Sequence, residues 1–326
     1  MAMHEQGEEQ TVWLDAANGA GERLDRFLAM QLPTYSRSRL QRWIALGAVS
    51  CESRALTAKS RLTGQELIRV QPQPLEADQA FAPEPVDVPL VHEDEALLVV
   101  NKPAGLVVHP APGNWQGTLM NGLLFHFESQ RVLPRAGIVH RLDKDTTGLM
   151  VVARTEAFRE SLVSQLSART IRRLYLAVCH GHPQAFYADG SIGRDAANRL
   201  RMAVRADGKA AGTFCVPLLS GQIDGRPVSL VRCQLETGRT HQIRIHLADA
   251  GFPLVGDSLY GGQTLAGFGR QALHAFALGL VHPGNGQLVQ WLADLPDDFK
   301  SLLGSAGWPV PGIDALTGES PVAKPR

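Results

Sequence analysis

The stretch GIVHRLDKDTTGLMVVART, residues 137–155, says more about the fold than any other part of the sequence. Residues 137–139 and 149–153 are apolar and β-prone, so each segment is predicted to form a strand, the second one buried. Between them, residues 140–148 carry five ionisable groups and two hydroxyls. A polar turn between two core strands holds its side chains still, and Asp143 lies in the middle of this turn. Asp and Thr also stabilise turns through bonds to backbone N–H groups, so the residues alone favour a structural role for Asp143.

The size and composition of the chain are those of a soluble globular protein. Its 326 residues are 44% hydrophobic and 20% charged, and the length is sufficient for two domains. No apolar run approaches the roughly 20 residues that a membrane helix requires. Four cysteines are scattered without a Cys-x-x-Cys pair, which indicates free thiols in a reducing compartment, so we expect a cytoplasmic protein.

Charge is distributed unevenly along the chain. Lys plus Arg and Asp plus Glu both number 32, so the net charge is zero. Between Arg23 and Arg69, however, nine basic residues face three acidic ones, which gives a local charge of +6. A local basic patch binds phosphates even when the whole molecule is neutral.

The basic segment has the pattern of a small helical domain. Residues 22–46 have helical spacing with a break at Pro33, and Ser36 is a predicted cap of the second helix. Basic side chains at the start of a helix oppose its dipole, so a phosphate ligand would explain why arginines crowd the first two turns there. These arginines are Arg37, Arg39 and Arg42. Residues 72–89 contain five prolines and are predicted to be an extended linker.

The rest of the chain alternates between predicted strands and helices. Residues 97–102, 174–178, 231–236 and 276–281 have strand patterns, and residues 117–124, 156–169 and 241–250 have helical ones. A metal site is not predicted. His241 and His246 are five residues apart, which points them in different directions on a helix and to opposite faces on a strand.

Several of these motifs together resemble a known family. HRLDKDTTGLMVVA, NKPAGLVVHP and LETGRTHQIRIHLA resemble the motifs of the RluA-type pseudouridine synthases. The resemblance implies that Asp143 is the catalytic aspartate, that Tyr175 is the second active-site residue, and that Arg244 faces the aspartate. In the motif RQALHA, it implies that Leu273 packs beneath the target uracil.

The N-terminal block, with RLD near its start and SRSRLQRWI as its second helix, resembles an S4 RNA-binding domain. The expected fold class is α+β: a pseudouridine synthase fold, with a mixed, mostly antiparallel sheet, flanking helices and a central cleft, preceded by a small α+β S4-like domain. The expected organisation is a flexible tail (1–20), an S4-like domain (21–71), a linker (72–89), a catalytic domain (90–311) and a second flexible tail (312–326).

The resemblance implies an isomerase that converts uridine in RNA to pseudouridine without a cofactor, and the KDTTGLMVVA form favours large-subunit ribosomal RNA. We expect a monomer whose partner is RNA and not a membrane. Arginines expected to contact this RNA are Arg37, Arg39, Arg42, Arg141, Arg199 and Arg201. Two alternatives are a non-catalytic RNA-binding or ribosome-assembly factor and a glycosidic hydrolase, which would need a second carboxylate.

Overall fold

A computed structural model describes residues 11–73, 81–111, 113–198 and 201–312. The chain forms two compact units that divide between residues 79 and 80. No helix in these described ranges is long and apolar enough to cross a membrane.

The first unit is a three-stranded antiparallel sheet with two helices. The strand order is β1-β3-β2. Its strands are β1 (Val12–Asp15), β2 (Val49–Ser50) and β3 (Leu67–Val70), and its helices are α1 (Leu24–Gln31) and α2 (Arg37–Ala45).

Sequence explains the two helices of this unit. Leu24, Phe27 and Leu28 recur at helical spacing and are buried in one core with residues of α2 and the sheet. Helix α2 begins as predicted, because the Ser36 hydroxyl accepts the Arg39 N–H at 3.4 Å.

Both ends of this unit differ from the expected domain limits. Strand β1 and the buried Ala16 belong to the folded unit, so the tail expected over residues 1–20 is wrong for residues 12–19. Residues 81–89 are not a free linker either. The Asn121 side chain donates to the Ala82 carbonyl at 2.8 Å, and the Glu84 N–H donates to the Asn121 carbonyl at 3.1 Å. These residues are thus part of the second unit and are hydrogen-bonded to it through Asn121.

The second unit is built on a nine-stranded sheet. The order is β4-β5-β6-β13-β7-β12-β11-β8, with β14 beside β13. Among the strand pairs that the described residues form in this sheet, only β6–β13 is parallel, which confirms a mixed, mostly antiparallel sheet. The strands are β4 (Leu90–Glu93), β5 (Leu97–Lys102), β6 (Thr147–Ala153), β7 (Arg172–His180), β8 (Phe186–Ala188), β11 (Thr213–Ile223), β12 (Arg226–Leu235), β13 (Leu273–Val281) and β14 (Leu288–Leu292); β9 (Ile192–Arg194) and β10 (Met202–Val204) form a separate hairpin.

Helices cover both faces of this sheet. Their apolar residues contribute to separate cores: Leu119 of the third helix and Ile243 of the fifth pack in one, and Phe299 of the sixth packs in another. Strands buried on both faces read as continuous apolar runs, as β5 and β6 do. The helices are α3 (Leu119–His126), α4 (Glu156–Ser167), α5 (Gln242–Asp249) and α6 (Asp297–Ser305).

The central stretch folds partly as predicted. Strand β6 is buried along its whole length. The strand expected at residues 137–139 does not form; a turn over Pro134–Gly137 takes its place, followed by one isolated bridge from Ile138 to Val152. Gly137 has φ of 75°, and Arg135 and Ala136 before it also have positive φ, which a strand does not allow. A Cβ at Gly137 would collide with the carbonyl oxygen of Ala153, so this turn against β6 requires glycine.

Candidate active site

Asp143 lies in the loop that leads into β6, and three side chains from other elements hold this loop. Lys102 Nζ donates to the carbonyl of Lys144 at 2.8 Å. Arg270 donates to the carbonyl of Asp145 at 3.0 Å, and Gln271 donates to the hydroxyl of Thr146 at 3.2 Å. The three residues that directly follow Asp143 are thus fixed by β5 and by the segment before β13.

Lys102 is fully buried at the end of β5. Its Nζ donates to three carbonyls, those of Pro103, Leu106 and Lys144, at 2.7–2.9 Å. Burial lowers the pKa of Lys102 to about 7, with the charges of Asp145 and Asp143 acting the other way. Three acceptors match the three N–H bonds of an ammonium group, so Lys102 braces the loop that carries Asp143.

Arg244 joins two carboxylates. Its Nη1 donates to Oδ2 of Asp143 at 3.0 Å, while Nε and Nη2 form a bidentate pair with Asp257 at 2.7 and 2.9 Å. Burial alone would lower the pKa of Arg244, but the bonds to Asp257 and the charge of Asp143 raise it overall. The guanidinium is therefore a permanent, oriented cation beside Asp143.

Tyr175 lies on β7, buried in the same apolar cluster as Leu142 and Leu273. Burial raises the pKa of Tyr175 to about 12; the charge of Arg173 opposes this rise, and that of Asp143 adds to it. The phenol is therefore protonated at neutral pH. The structure thus brings Asp143, Tyr175, Arg244 and Leu273 into one region of the second unit.

His241 is near Oδ1 of Asp143, the carboxylate oxygen that Arg244 does not bond. It precedes α5 in a left-handed conformation, with φ of 57°. Its Nε2 is 3.9 Å from Oδ1 of Asp143, and its Nδ1 is 2.8 Å from the hydroxyl of Tyr260. Burial lowers the pKa of His241, so its imidazole is neutral near pH 7. The Tyr260 hydroxyl also accepts the Met202 N–H at 3.0 Å.

The arginines of the second unit that were expected to contact RNA differ in how far they extend into solvent. Arg141 is exposed in the loop that carries Asp143. Arg201 lies over the ring of Tyr260, 5.3 Å from its centre, so it is packed against the site and is not a freely extended loop residue. Arg199 falls outside the described residues.

In the first unit, Arg37 and Arg39 of α2 both have partners within the protein. Arg37 donates to the buried carboxylate of Asp25 at 2.7 Å. Arg39 lies 4.8 Å from the ring centre of Tyr35 and donates to the Gln73 carbonyl at 2.7 Å. These contacts are a second explanation for the two arginines beside a phosphate ligand, one that the sequence does not show. Arg42 is exposed, and contact of the three arginines with RNA stays a prediction.

One group of three side chains among the described residues has the spacing of metal ligands. His92, Asp94 and His282 place their donor atoms within 4.8 Å of one another. Both Nε2 atoms already bond to Oδ2 of Asp94, at 2.7 and 2.9 Å, and its Oδ1 accepts two backbone N–H groups of the β4–β5 turn. These hydrogen bonds show that the three side chains stabilise the turn between β4 and β5. His246 bonds to Thr213 and Gly190, away from His241.

Four contributors to the site were not predicted as site residues: Lys102, His241, Asp257 and Tyr260. Lys102 lies in NKPAGLVVHP, His241 in LETGRTHQIRIHLA, and Asp257 and Tyr260 in residues 253–262, PLVGDSLYGG, which also resemble a motif of the family; that resemblance was the available signal. Their roles depend on contacts across the fold, which no local pattern contains.

Comparison with known proteins identifies the class of this site. Residues 96–249 match the family model described as RNA pseudouridylate synthase, and this range holds Asp143, Tyr175 and Arg244. A solved structure, Human RNA Pseudouridylate Synthase Domain Containing 1, is 29% identical and covers 72% of this chain and 94% of its own, with a TM-score of 0.55.

Curated relatives extend the match to most of the chain. "Ribosomal large subunit pseudouridine synthase D" of Neisseria meningitidis is 49% identical over 297 residues, which is 87% of this chain and 78% of the relative. The protein of the same name from Nitrosomonas europaea is 46% identical, covering 91% and 88%. The chain belongs to the RNA pseudouridine synthase family, isomerases that convert uridine in RNA to pseudouridine.

Proposed function

We propose that this enzyme isomerises specific uridines of large-subunit ribosomal RNA. The observation that carries the proposal is the Asp143–Arg244–Asp257 arrangement, in which a carboxylate with a 15% exposed side chain is paired with a buried arginine. The names of its relatives support large-subunit ribosomal RNA as the substrate class. We also propose that the enzyme acts as a monomer in the cytoplasm.

Asp143 acts at the sugar of the target nucleotide. Its Oδ2 is held by Arg244, which leaves Oδ1 for the substrate. In the reaction the bond from N1 to C1′ breaks, the base rotates, and a bond from C5 to C1′ forms; the proton on C5 is lost, and N1 gains one. No oxidant, reductant or co-substrate enters this balance.

Tyr175 acts on the rotated base, as a protonated phenol that orients it or handles the C5 proton. Leu273 and Leu142 provide an apolar surface against which a uracil packs. The target base must leave the helical stack to reach them, and Arg141, exposed beside the catalytic loop, is placed to contact the RNA as it does so.

The test uses purified protein and a transcript of large-subunit ribosomal RNA. We expect nucleoside analysis to show pseudouridine formed at a few positions, with RNA mass unchanged and no free uracil. Release of uracil would indicate a hydrolase. Binding without pseudouridine formation would indicate a non-catalytic RNA-binding factor, and either result would overturn the proposal.

A further inference from the structure

Oδ1 of Asp143 faces His241 across a gap that is too long for a direct hydrogen bond. The distance between Oδ1 and His241 Nε2 is 3.9 Å, whereas such bonds are about 2.7–3.2 Å long. Both side chains remain partly accessible, at 15% and 18%. The two atoms therefore form an open pair that a substrate group can enter.

The proton of the imidazole is assigned by its second partner. The Tyr260 hydroxyl accepts the N–H of Met202, because a backbone nitrogen only donates. The hydroxyl still has its own proton, and it donates this proton to Nδ1 of His241, 2.8 Å away. The imidazole then carries its single proton on Nε2, so a donor faces the carboxylate of Asp143.

A hydroxyl is the group that fits between a donor and a carboxylate, because it accepts from one and donates to the other. An oxygen about 2.8 Å from each of two atoms that are 3.9 Å apart has a normal hydrogen bond to both. A nucleotide inside an RNA chain has one free sugar hydroxyl, the 2′-hydroxyl, since its 3′- and 5′-oxygens are esterified.

We propose that His241 is a substrate-positioning residue, and that its Nε2–H and Oδ1 of Asp143 together hold the 2′-hydroxyl of the target uridine. This inference rests on the proposed function. Tyr260 fixes the required tautomer, and the β9–β10 hairpin holds Tyr260 through Met202 and Arg201. These two contacts to the 2′-hydroxyl place the sugar, and thereby C1′, next to the carboxylate of Asp143.

Two substitutions at one position test the role of the N–H group. Asn tolerates the left-handed backbone of residue 241 but is too short to reach the 2′-hydroxyl. Gln extends its amide nitrogen to about the position of Nε2. We expect His241→Asn to lower kcat/KM by roughly 10- to 100-fold, the value of one hydrogen bond to a charged or polar pair, and His241→Gln to recover most of this loss. The unfolding temperature should be nearly the same in both variants.

The decisive measurement pairs these proteins with two RNAs that differ by one oxygen. A ribosomal RNA fragment converted by the wild type is compared with the same fragment carrying 2′-deoxyuridine at the target position, by turnover and by equilibrium binding. His241→Asn should weaken turnover or binding of the normal RNA, and should add little to the loss that the deoxy substitution causes.

An equal loss of turnover or binding from His241→Asn on both RNAs would overturn the proposed contact with the 2′-hydroxyl. Equal kcat/KM values for the Asn and Gln variants would also overturn it. So would a loss of activity that lower stability of the variant explains by itself. Failure of the proposed function is a different result, since the wild type would then convert no uridine in ribosomal RNA.

Discussion

Asp143 presents two oxygens with different neighbours: Arg244 donates to Oδ2, and Oδ1 lies 3.9 Å from Nε2 of His241. We expect Asp143→Asn to abolish pseudouridine formation while folding and RNA binding stay nearly unchanged, because the volume is kept and only the charge is lost. The assay is tritium release from C5-labelled uridine in RNA. Asp145→Asn is the matched control, because the loop contact of Asp145 is made by its backbone carbonyl. Substantial turnover by Asp143→Asn would contradict the assignment.

Tyr175 is tested by removing one oxygen. Tyr175→Phe keeps the ring in its apolar cluster, so stability should change by less than about 1 kcal/mol. Because the protonated phenol is proposed to act on the rotated base, kcat should fall by roughly 100-fold or more, the usual range for a lost acid–base group. If Tyr175→Phe turns over RNA as fast as the wild type, the hydroxyl has no role in the reaction and Tyr175 is only a core residue.

Arg244 has a structural role as well as its proposed catalytic one. Arg244→Ala leaves the buried carboxylate of Asp257 without its bidentate partner, so we expect about 3–5 kcal/mol of lost stability in addition to lost activity. The double change Arg244→Ala with Asp257→Ala should recover much of the stability and none of the activity. Denaturant unfolding and turnover, measured on the same preparations, separate the two effects. If the double variant is no more stable than the single one, the ion pair is not the cause.

At the scale of elements, helices α1 and α2 are joined through a buried charge. Burial acts to raise the pKa of Asp25, but hydrogen bonds from Gln41, Arg37 and Arg23 outweigh it and lower the pKa to about 2. A carboxyl whose folded pKa is depressed contributes stability that is present above its unfolded value, near 4, and is lost as pH falls toward 2.

Glu66 behaves in the same way, since bonds from Thr63 and Arg54 outweigh burial and lower its pKa to about 2. We therefore expect acid to destabilise the first unit between about pH 4 and pH 2, with amide exchange in α1 and α2 accelerating first. Asp25→Asn should weaken this unit at pH 7 and make its remaining stability less dependent on pH. An unchanged pH dependence in that variant would show that other groups control acid unfolding.

At the scale of the whole chain, the two units have separate cores, and the proposed tasks are RNA capture for the first and chemistry for the second. A shortened protein that begins at residue 81 keeps the contacts of Ala82 and Glu84 with Asn121, so it should fold and retain turnover at saturating RNA. A start near Pro85 would remove these contacts and is expected to be less stable.

The shortened protein should bind ribosomal RNA more weakly. Each lost phosphate contact flattens the slope of log affinity against log salt by about 0.7–0.9, so loss of one to three contacts lowers it by about 1–3 units. The measurement is a filter-binding salt titration of both proteins on one RNA fragment. Equal affinities and equal slopes would show that the first unit has no part in RNA capture.

The sequence by itself determined much of this protein. Apolar runs and periodicity placed β6, β7 and α5, and Ser36 marked the start of α2, because burial and capping are local requirements that each segment carries in its own residues. The family motifs placed Asp143, Tyr175 and Arg244 within one match.

Only the tertiary structure decided how these residues are held. Arg244 is fixed by Asp257, 13 residues away, and the Asp143 loop by Lys102, whose Nζ bonds a carbonyl 42 positions along the chain. The turn that ends at Gly137 replaced an expected strand because its last three residues have positive φ. Hydrogen bonds and ion pairs between distant segments depend on where the fold brings their atoms, and periodicity along the chain carries no information about that distance.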